Sequence, residues 1–138
     1  MAISILPATL EDADEMIEVS MAAFAKDRLS IAHNRLDRAS PDQLAVWRRW
    51  RYVMMKVRMD GEGKYWFKAV DDTTGSIVGY AGLYAPGAAP VAATMASLPL
   101  PIFMNQEIEE DLRAMQKSAK AKHLDDRDDV WCKHPVKG

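Results

Sequence analysis

The sequence predicts an α+β fold, a single domain over residues 1 to 138 with the element order β-α-α-β-β, followed by an inserted helix and a last short strand. Three observations predict it. Short β-branched or alternating apolar segments indicate strands, apolar residues at i, i+3, i+4 and i+7 indicate two amphipathic helices, and a glycine-containing turn joins two strands into a hairpin. A chain of 138 residues is long enough to bury one modest core.

The first strand and the first helix are predicted from local signals. "ISIL", residues 3 to 6, is rich in β-branched residues and stops at Pro7. Thr9, with Asp12 three residues later, can form a capping box, and further acidic residues follow where the helix dipole favours negative charge. An amphipathic helix is therefore expected over residues 10 to 25. Its apolar face comprises Ala13, Met16, Ile17, Ser20, Ala23 and Phe24.

A second helix is expected after a polar connection over residues 25 to 38. Ser40 is its cap, Pro41 takes the first helical position, and Gln43 completes a capping box. The helix ends before the glycine pair that begins at Gly61. Its predicted buried stripe consists of Leu44, Trp47, Trp50 or Arg51, Met54 and Val57.

The second helix also carries a group of basic residues: Arg48, Arg49, Arg51, Lys56 and Arg58. We interpret them as a solvated polar face beside the buried one. The net charge of the chain is -2, which gives no overall attraction for nucleic acid. The alternative left open is that this basic face grips phosphates or a partner.

Residues 64 to 84 are predicted to form a β-hairpin. "KYWFKAVDD" alternates as a half-buried strand should, "TTG" makes the turn, and "SIVGYAGLY" returns antiparallel. Gly79 and Gly82 lie inside the return strand, where glycine marks a bulge or a close approach. We expect backbone or ligand to approach both glycines closely, so that Gly82→Val lowers stability.

Beyond the hairpin the pattern changes. Residues 85 to 104 are rich in alanine and proline without apolar periodicity, which predicts a flexible loop. Asn105 caps a third helix, whose first turns are acidic and whose last turns are basic. Its narrow apolar face comprises Ile108, Leu112, Met115 and Ala119. "VWCK", residues 130 to 133, predicts one more strand.

Composition disfavours several classes of protein and site. The acidic start is unlike a secretory signal, and no apolar run approaches the roughly 20 residues that cross a bilayer. We therefore expect a cytoplasmic protein that binds neither membrane nor nucleic acid. Cys132 is the single cysteine, which excludes an intrachain disulfide. His123, Cys132 and His134 match no common zinc spacing, so no metal site is expected.

Three segments in this order resemble the N-terminal half of the GCN5-related N-acetyltransferases (GNAT), most of all the fungal branch that acts on small molecules. They are "ATLEDADEMIEVSMAAF" at residues 8 to 24, "YWFKAVDDTTGSIVGYAGLY" at residues 65 to 84 and, in part, "VWCKHPVKG" at residues 130 to 138. The resemblance covers about residues 3 to 84 well. It implies a partial GNAT-like domain whose C-terminal half is missing.

The resemblance implies acetyl transfer from acetyl-CoA to an amine of a small molecule, in secondary metabolism. The amine attacks the thioester directly, with most of the rate coming from proximity, and a general base not identified here takes the proton. Phe24 and Tyr84 are implied nearest the acceptor, with core packing as the alternative role, and the basic helix face would border an acidic acceptor. The strand implied to bind acetyl-CoA consists of Val130, Trp131, Cys132 and Lys133.

The chain departs from the family pattern after that strand. The family has there a loop, Arg/Gln-x-x-Gly-x-Gly/Ala, whose N–H groups hold the pyrophosphate at a helix N-terminus, whereas only "HPVKG" follows here. The alternative function is therefore a truncated, non-catalytic remnant or an interaction module that keeps the fold. We therefore expect the 138-residue chain alone to bind acetyl-CoA no tighter than millimolar and to transfer no acetyl group. An unpaired edge at residues 77 to 84 or near residue 130 predicts a homodimer.

Overall fold

The computed structural model describes residues 2–89, 91–123 and 132–134. Its fold is α+β, and the predicted β-α-α-β-β order holds with one additional short helix among the first elements. The strands are β1 (Ile3–Pro7), β2 (Lys64–Asp71), β3 (Ile77–Tyr84) and β4 (Cys132–His134). The helices are α1 (Ala13–Ala23), α2 (Arg28–Asn34), α3 (Pro41–Met59), α4 (Ala92–Ser97) and α5 (Gln106–His123).

The sheet has four antiparallel strands in the order β1-β2-β3-β4. β4 pairs with β3 only at Gly82, Leu83 and Tyr84, so the rest of β3 has no second partner strand among the described residues. Of the two edges predicted as alternatives, the one near residue 130 is confirmed, because β4 lies at an end of the described sheet. The two ends of the sheet, within the residues that the structure describes, are β1 and β4. A bulge shifts the register of the hairpin, with Ala69 opposite Gly79 and Val70 opposite Ile77.

Helices α1 and α3 cover one face of the sheet, which we call the inner face. Trp66 and Ile77 contribute to it and are buried beneath the helices. Glu15 on α1 also accepts a hydrogen bond from the Ile77 N–H at 2.7 Å, and this bond links α1 to the start of β3. The buried core comprises Ala13, Met16, Ile17, Trp47, Met55, Trp66, Ile77 and Met104.

The capping boxes predicted at the two helix starts are present in the structure. Thr9 and Asp12 form a capping box on a 3-10 turn, Leu10–Asp12, that leads into α1. At the start of α3, Ser40 Oγ accepts from the Gln43 N–H at 3.2 Å, and Gln43 Oε1 accepts from the Ser40 N–H at 2.9 Å. Each box satisfies backbone donors that have no partner inside the helix.

The predicted polar connection over residues 25 to 38 is wrong, because it contains α2. Asp27 caps this helix, and its Oδ1 accepts from the Ser30 N–H at 2.7 Å. Arg35 ends it in the left-handed conformation with φ 54°. A helix this short gains little from its own hydrogen bonds, and its support is the packing of Asn34, which is buried.

The predicted basic face of α3 is wrong for two of its five members, although the predicted buried stripe also offered Arg51 as the alternative to Trp50. Arg51 and Arg58 are buried, in line with Trp47 and Met54. Arg48 does lie outside, where its Nε donates to Glu18 Oε1 at 2.8 Å. The buried side of the helix is therefore partly cationic.

The segment at residues 85 to 104 contains the short helix α4, and its flexibility stays a prediction. Asn105 caps α5 as expected, since its Oδ1 accepts from the Ile108 N–H at 3.2 Å. Along the predicted apolar face of α5, Leu112 is half-buried and Met115 is exposed. Within the described residues, no helix combines the length and the apolar character that a membrane span requires.

Candidate functional site

A cavity of about 260 Å³ lies between the end of α1, helix α2 and the start of α3. Its lining combines apolar and aromatic side chains with a few polar ones, a combination typical of small-molecule pockets. The lining residues are Ser20, Met21, Phe24, Ala25, Ser30, Ile31, Asn34, Leu36, Asp37 and Trp47. The structure thus brings the predicted acceptor residue Phe24 to the wall of a cavity.

Hydrogen bonds hold the polar wall of this cavity in place. The indole N–H of Trp47 donates to Asn34 Oδ1 at 3.3 Å, and the Asn34 amide donates to Ser30 Oγ at 3.0 Å. Asn34 and Trp47 are both buried, so their orientations are set before any ligand arrives. The carboxylate of Asp37 lies at the exposed rim, 3.5 Å from Arg38 Nε. It is the one acidic side chain among the described residues that line the cavity.

Arg51 lies directly behind the cavity wall and is only 4% exposed. Its Nη2 donates to Ser20 Oγ at 3.4 Å, and its guanidinium carbon is 5.6 Å from the ring centroid of Trp47. Both of these contacts line the cavity. Burial lowers the pKa of Arg51, and a hydrogen bond with Tyr80 acts in the opposite direction.

Arg58 lies two helical turns beyond Arg51 on the same side of α3 and is 6% exposed. Burial, and next the positive charge of Arg51, lower the pKa of Arg58 to about 10. The electrostatic influences of Tyr84, Tyr80 and Glu109 oppose this shift. Its Nε has no hydrogen-bond acceptor among the described residues. At neutral pH the two side chains form a buried pair of cations.

Tyr84 lies beyond Arg58, at the C-terminal end of α3, where it binds a helix carbonyl rather than lining the cavity. Its hydroxyl donates to the Arg58 carbonyl at 3.0 Å, and the Trp66 indole N–H donates to the same oxygen at 3.3 Å. Lys64 Nζ donates to the Val57 carbonyl at 3.2 Å. Burial raises the pKa of Tyr84 to about 12, against the influence of Arg58, so the phenol stays protonated at neutral pH.

Phe24 and Tyr84, the two predicted acceptor residues, are therefore not brought together. Phe24 shares the cavity with Trp47, whereas Tyr84 binds the carbonyl of Arg58, eleven residues further along α3. At about 1.5 Å of rise per residue, that separation is about 16 Å. Arg51 and Arg58 lie on α3 between these two positions. The sequence interpretation placed Arg58 on a solvated face and left Arg51 open between that face and the buried stripe.

The predicted cofactor strand coincides in part with β4. Cys132 lies opposite Tyr84 and Lys133 opposite Leu83, at the end of the sheet where Tyr84 meets α3. Val130 and Trp131 lie outside the described residues. The role of this strand in binding acetyl-CoA stays a prediction.

The two strand glycines have different environments. A Cβ atom on Gly82 would lie 2.7 Å from two ring carbons of Trp66, which is directly opposite in the hairpin register. The close approach predicted for Gly82 is thus confirmed, but the approaching group is the side chain of Trp66 rather than the backbone or ligand that was expected. For Gly79 the predicted close approach is wrong, because its nearest neighbour, the Cβ of Ala69, would be an ordinary 3.9 Å away. The other meaning of a strand glycine, a bulge, is what the register shift beside Gly79 shows.

A triad of titratable side chains that sequence reasoning missed joins α2 to α5. His33 Nε2 lies 2.9 Å from Glu109 Oε2, and Arg113 Nε lies 2.6 Å from Glu109 Oε1. Burial alone would raise the pKa of Glu109, but the hydrogen bonds with His33 and Arg113 outweigh it and lower the pKa to about 2. Only the Glu109–Arg113 spacing of four residues was visible in the sequence.

No family model matches the sequence, and no curated protein matches it either. Among solved structures, the chain is similar to an acetyltransferase of the GNAT family from Staphylococcus aureus Mu50. The identity is 15%, the match covers 89% of this chain and 69% of that one, and the TM-score is 0.38. Values this low do not establish family membership.

Proposed function

We propose that the protein is an acetyltransferase of the GNAT type that transfers the acetyl group of acetyl-CoA to a primary amine of a small molecule. The proposal is supported by a β-α-α-β-β order with one additional short helix, whose strands form an antiparallel sheet in chain order with α1 and α3 on one face. The observation that carries it is the cavity beside Phe24, because it lies among the helices where the sequence resemblance implies the acceptor.

The cavity has the chemistry to hold an amine. An ammonium group is attracted to the faces of Phe24 and Trp47, and the Asp37 carboxylate at the rim adds an opposite charge. In the reaction the deprotonated amine nitrogen bonds to the thioester carbonyl carbon, the carbon–sulfur bond breaks, and coenzyme A leaves as a thiolate that takes up a proton. In this proposal acetyl-CoA binds along β4 and the residues before it. We also propose that the enzyme is cytoplasmic and acts in fungal secondary metabolism.

The test is an acetylation assay on the full chain. Acetyl-CoA is incubated with a panel of small primary amines, and the free thiol of coenzyme A is measured together with the acetylated product. We expect turnover with at least one amine, and we expect Phe24→Ala to raise its KM about tenfold, because one aromatic wall of the pocket is lost.

The matched control is Ile102→Ala, a side chain that is 95% exposed and outside the cavity lining, which should leave KM unchanged. Calorimetric titration with acetyl-CoA is run on the same samples. The sequence pattern by itself led to the opposite expectation, binding no tighter than millimolar and no acetylated product from any amine. That result would contradict the enzymatic proposal and favour the non-catalytic alternative.

A second function, self-association, is favoured by the first strand. β1 forms one end of the sheet, and its five residues carry no charge that would discourage pairing with another strand. Ile5, 65% exposed, stands on this strand. We propose that a second copy of the chain pairs with β1, which gives a homodimer whether or not the protein is an enzyme.

A further inference from the structure

An open groove of about 730 Å³ lies on the surface between α2, the start of α3 and the segment that leads into α5. Its volume lies within the roughly 300–1,000 Å³ that is typical of small-molecule sites. Three arginines line this groove: Arg28 at the start of α2, Arg35 at the end of α2, and Arg38 just beyond it. The proposed acetyl transfer uses none of these three side chains.

The groove concentrates positive charge on a chain whose net charge is -2. Asp37 is the one carboxylate among the described residues that line it, so the three arginines leave a local excess of two positive charges. Asp37 lies 3.5 Å from Arg38 Nε, but both side chains are exposed, so this ion pair is weak and Arg38 can turn to a ligand. Arg28 and Arg35 have no carboxylate at ion-pair distance among the described residues.

Arg35 stands at the groove in an unfavourable backbone conformation. It ends α2 in the left-handed region with φ 54°, where glycine is the common residue because it has no Cβ atom to clash. A glycine would therefore end the helix at a lower conformational cost. What the arginine adds at this position is a guanidinium group beside the groove.

Two amide side chains add neutral donors to the groove. Gln43 Oε1 accepts from the Ser40 N–H at 2.9 Å, and Asn105 Oδ1 accepts from the Ile108 N–H at 3.2 Å, so the oxygen of each amide is in use. Both residues line the groove, and the NH₂ group of each has no acceptor among the described residues. Gln43 lies in the first turn of α3 and Asn105 caps α5, so the N-terminal ends of two long helices also favour negative charge here.

We propose that this groove binds a phosphorylated small molecule with a flat ring, an aryl or nucleoside phosphate. A phosphate monoester carries a charge of about -2 at neutral pH, which the local excess of positive charge matches. Its oxygens accept the paired N–H donors that a guanidinium presents. Phe103 and Ile31 line the same groove and provide an apolar surface for the ring. The inference assigns a ligand and no reaction, so it stands whether or not the chain transfers acetyl groups.

The experiment titrates phenyl phosphate, adenosine monophosphate and inorganic phosphate into the full chain by calorimetry. The solutions are kept at neutral pH and at low, constant ionic strength, with sodium chloride as the reference anion. We expect at least one of the two ring-bearing phosphates to bind saturably and about tenfold more tightly than inorganic phosphate, because the ring adds an aromatic contact. The tighter of the two identifies the ligand as an aryl or a nucleoside phosphate.

Arg35→Gly removes one guanidinium without a cost to the fold. Glycine adopts the left-handed conformation freely, so the thermal midpoint should not fall, whereas binding of the preferred phosphate should weaken about tenfold. Arg49→Met is the matched control for net charge and should leave binding unchanged, because Arg49 is an exposed arginine of α3 outside the groove lining. Phe103→Leu keeps the apolar bulk but loses the ring, so it should weaken binding of the ring-bearing phosphates and leave that of inorganic phosphate unchanged.

Arg38→Met keeps the proposal testable if Arg35→Gly does not fold. The Arg38 side chain is 86% exposed, so its loss should leave the fold intact and weaken binding of the preferred phosphate about tenfold. The proposal is overturned if neither ring-bearing phosphate binds more strongly than chloride, or if either variant binds the preferred phosphate as tightly as the parent. Acetyl transfer is assayed on the same samples, and its absence with phosphate binding intact would contradict only the proposed function.

Discussion

Replacing Gly82 with alanine tests the close packing of the hairpin against the core. The added Cβ would lie 2.7 Å from two carbons of the Trp66 ring, well inside the 3.4 Å at which ordinary contact begins. Trp66 is 5% exposed and its N–H donates to the Arg58 carbonyl, so the ring cannot move without losing packing and that hydrogen bond. Overpacking typically costs about 1–3 kcal/mol and a lost hydrogen bond about 1 kcal/mol.

The expected destabilisation is therefore about 2–4 kcal/mol for Gly82→Ala, and more for Gly82→Val, out of a total stability of about 5–15 kcal/mol. Urea unfolding followed by tryptophan fluorescence measures it. Gly79→Ala is the matched control on the same strand and should cost less than about 1 kcal/mol, because its nearest neighbour is 3.9 Å away.

A double-mutant cycle with Trp66→Phe isolates the contact. The smaller ring should relieve much of the penalty of Gly82→Ala. If Gly82→Ala is as stable as the parent, or if Trp66→Phe leaves its cost unchanged, the indole does not occupy the space above Gly82 and the reasoning is refuted.

Two further predictions concern charge and association. The pKa of Glu109, about 2 when folded against 4.5 ordinarily, means that its contribution is complete above pH 4.5 and is lost as pH falls toward 2. Glu109→Gln should remove about 1–2 kcal/mol of stability at pH 6, and it should reduce the fall of the urea-unfolding midpoint between pH 4.5 and pH 2. If the variant shows the same fall as the parent, the interactions of Glu109 in the triad do not stabilise the fold. Ile5→Lys should convert the proposed dimer to a monomer in light scattering, while Lys26→Ala, a control away from β1, should not.

The sequence by itself determined the elements that depend on near neighbours. The capping boxes of Thr9–Asp12 and Ser40–Gln43 join residues three apart, and the hairpin turn is a local glycine signal, so these starts and turns were predicted correctly. The buried side of α3 was also present in the pattern. Positions 44, 47, 51, 54 and 58 repeat at helical spacing, but the predicted stripe offered Arg51 only as the alternative to Trp50 and took Val57 in place of Arg58, since arginine is mostly exposed in proteins.

Only the tertiary structure decided what these elements form together. Ser20 and Arg51 are 31 residues apart, and Glu15 and Ile77 are 62 apart, so no local pattern indicates that they touch. The register that places Trp66 over Gly82 depends on the pairing of two strands and on a bulge between them. The cavity beside Phe24 arises where the end of α1, helix α2 and the start of α3 meet, and Arg51 and Arg58 are buried on the side of α3 that carries Trp47 and Met54. Such packing joins residues that are distant in the sequence, so a linear pattern does not carry it.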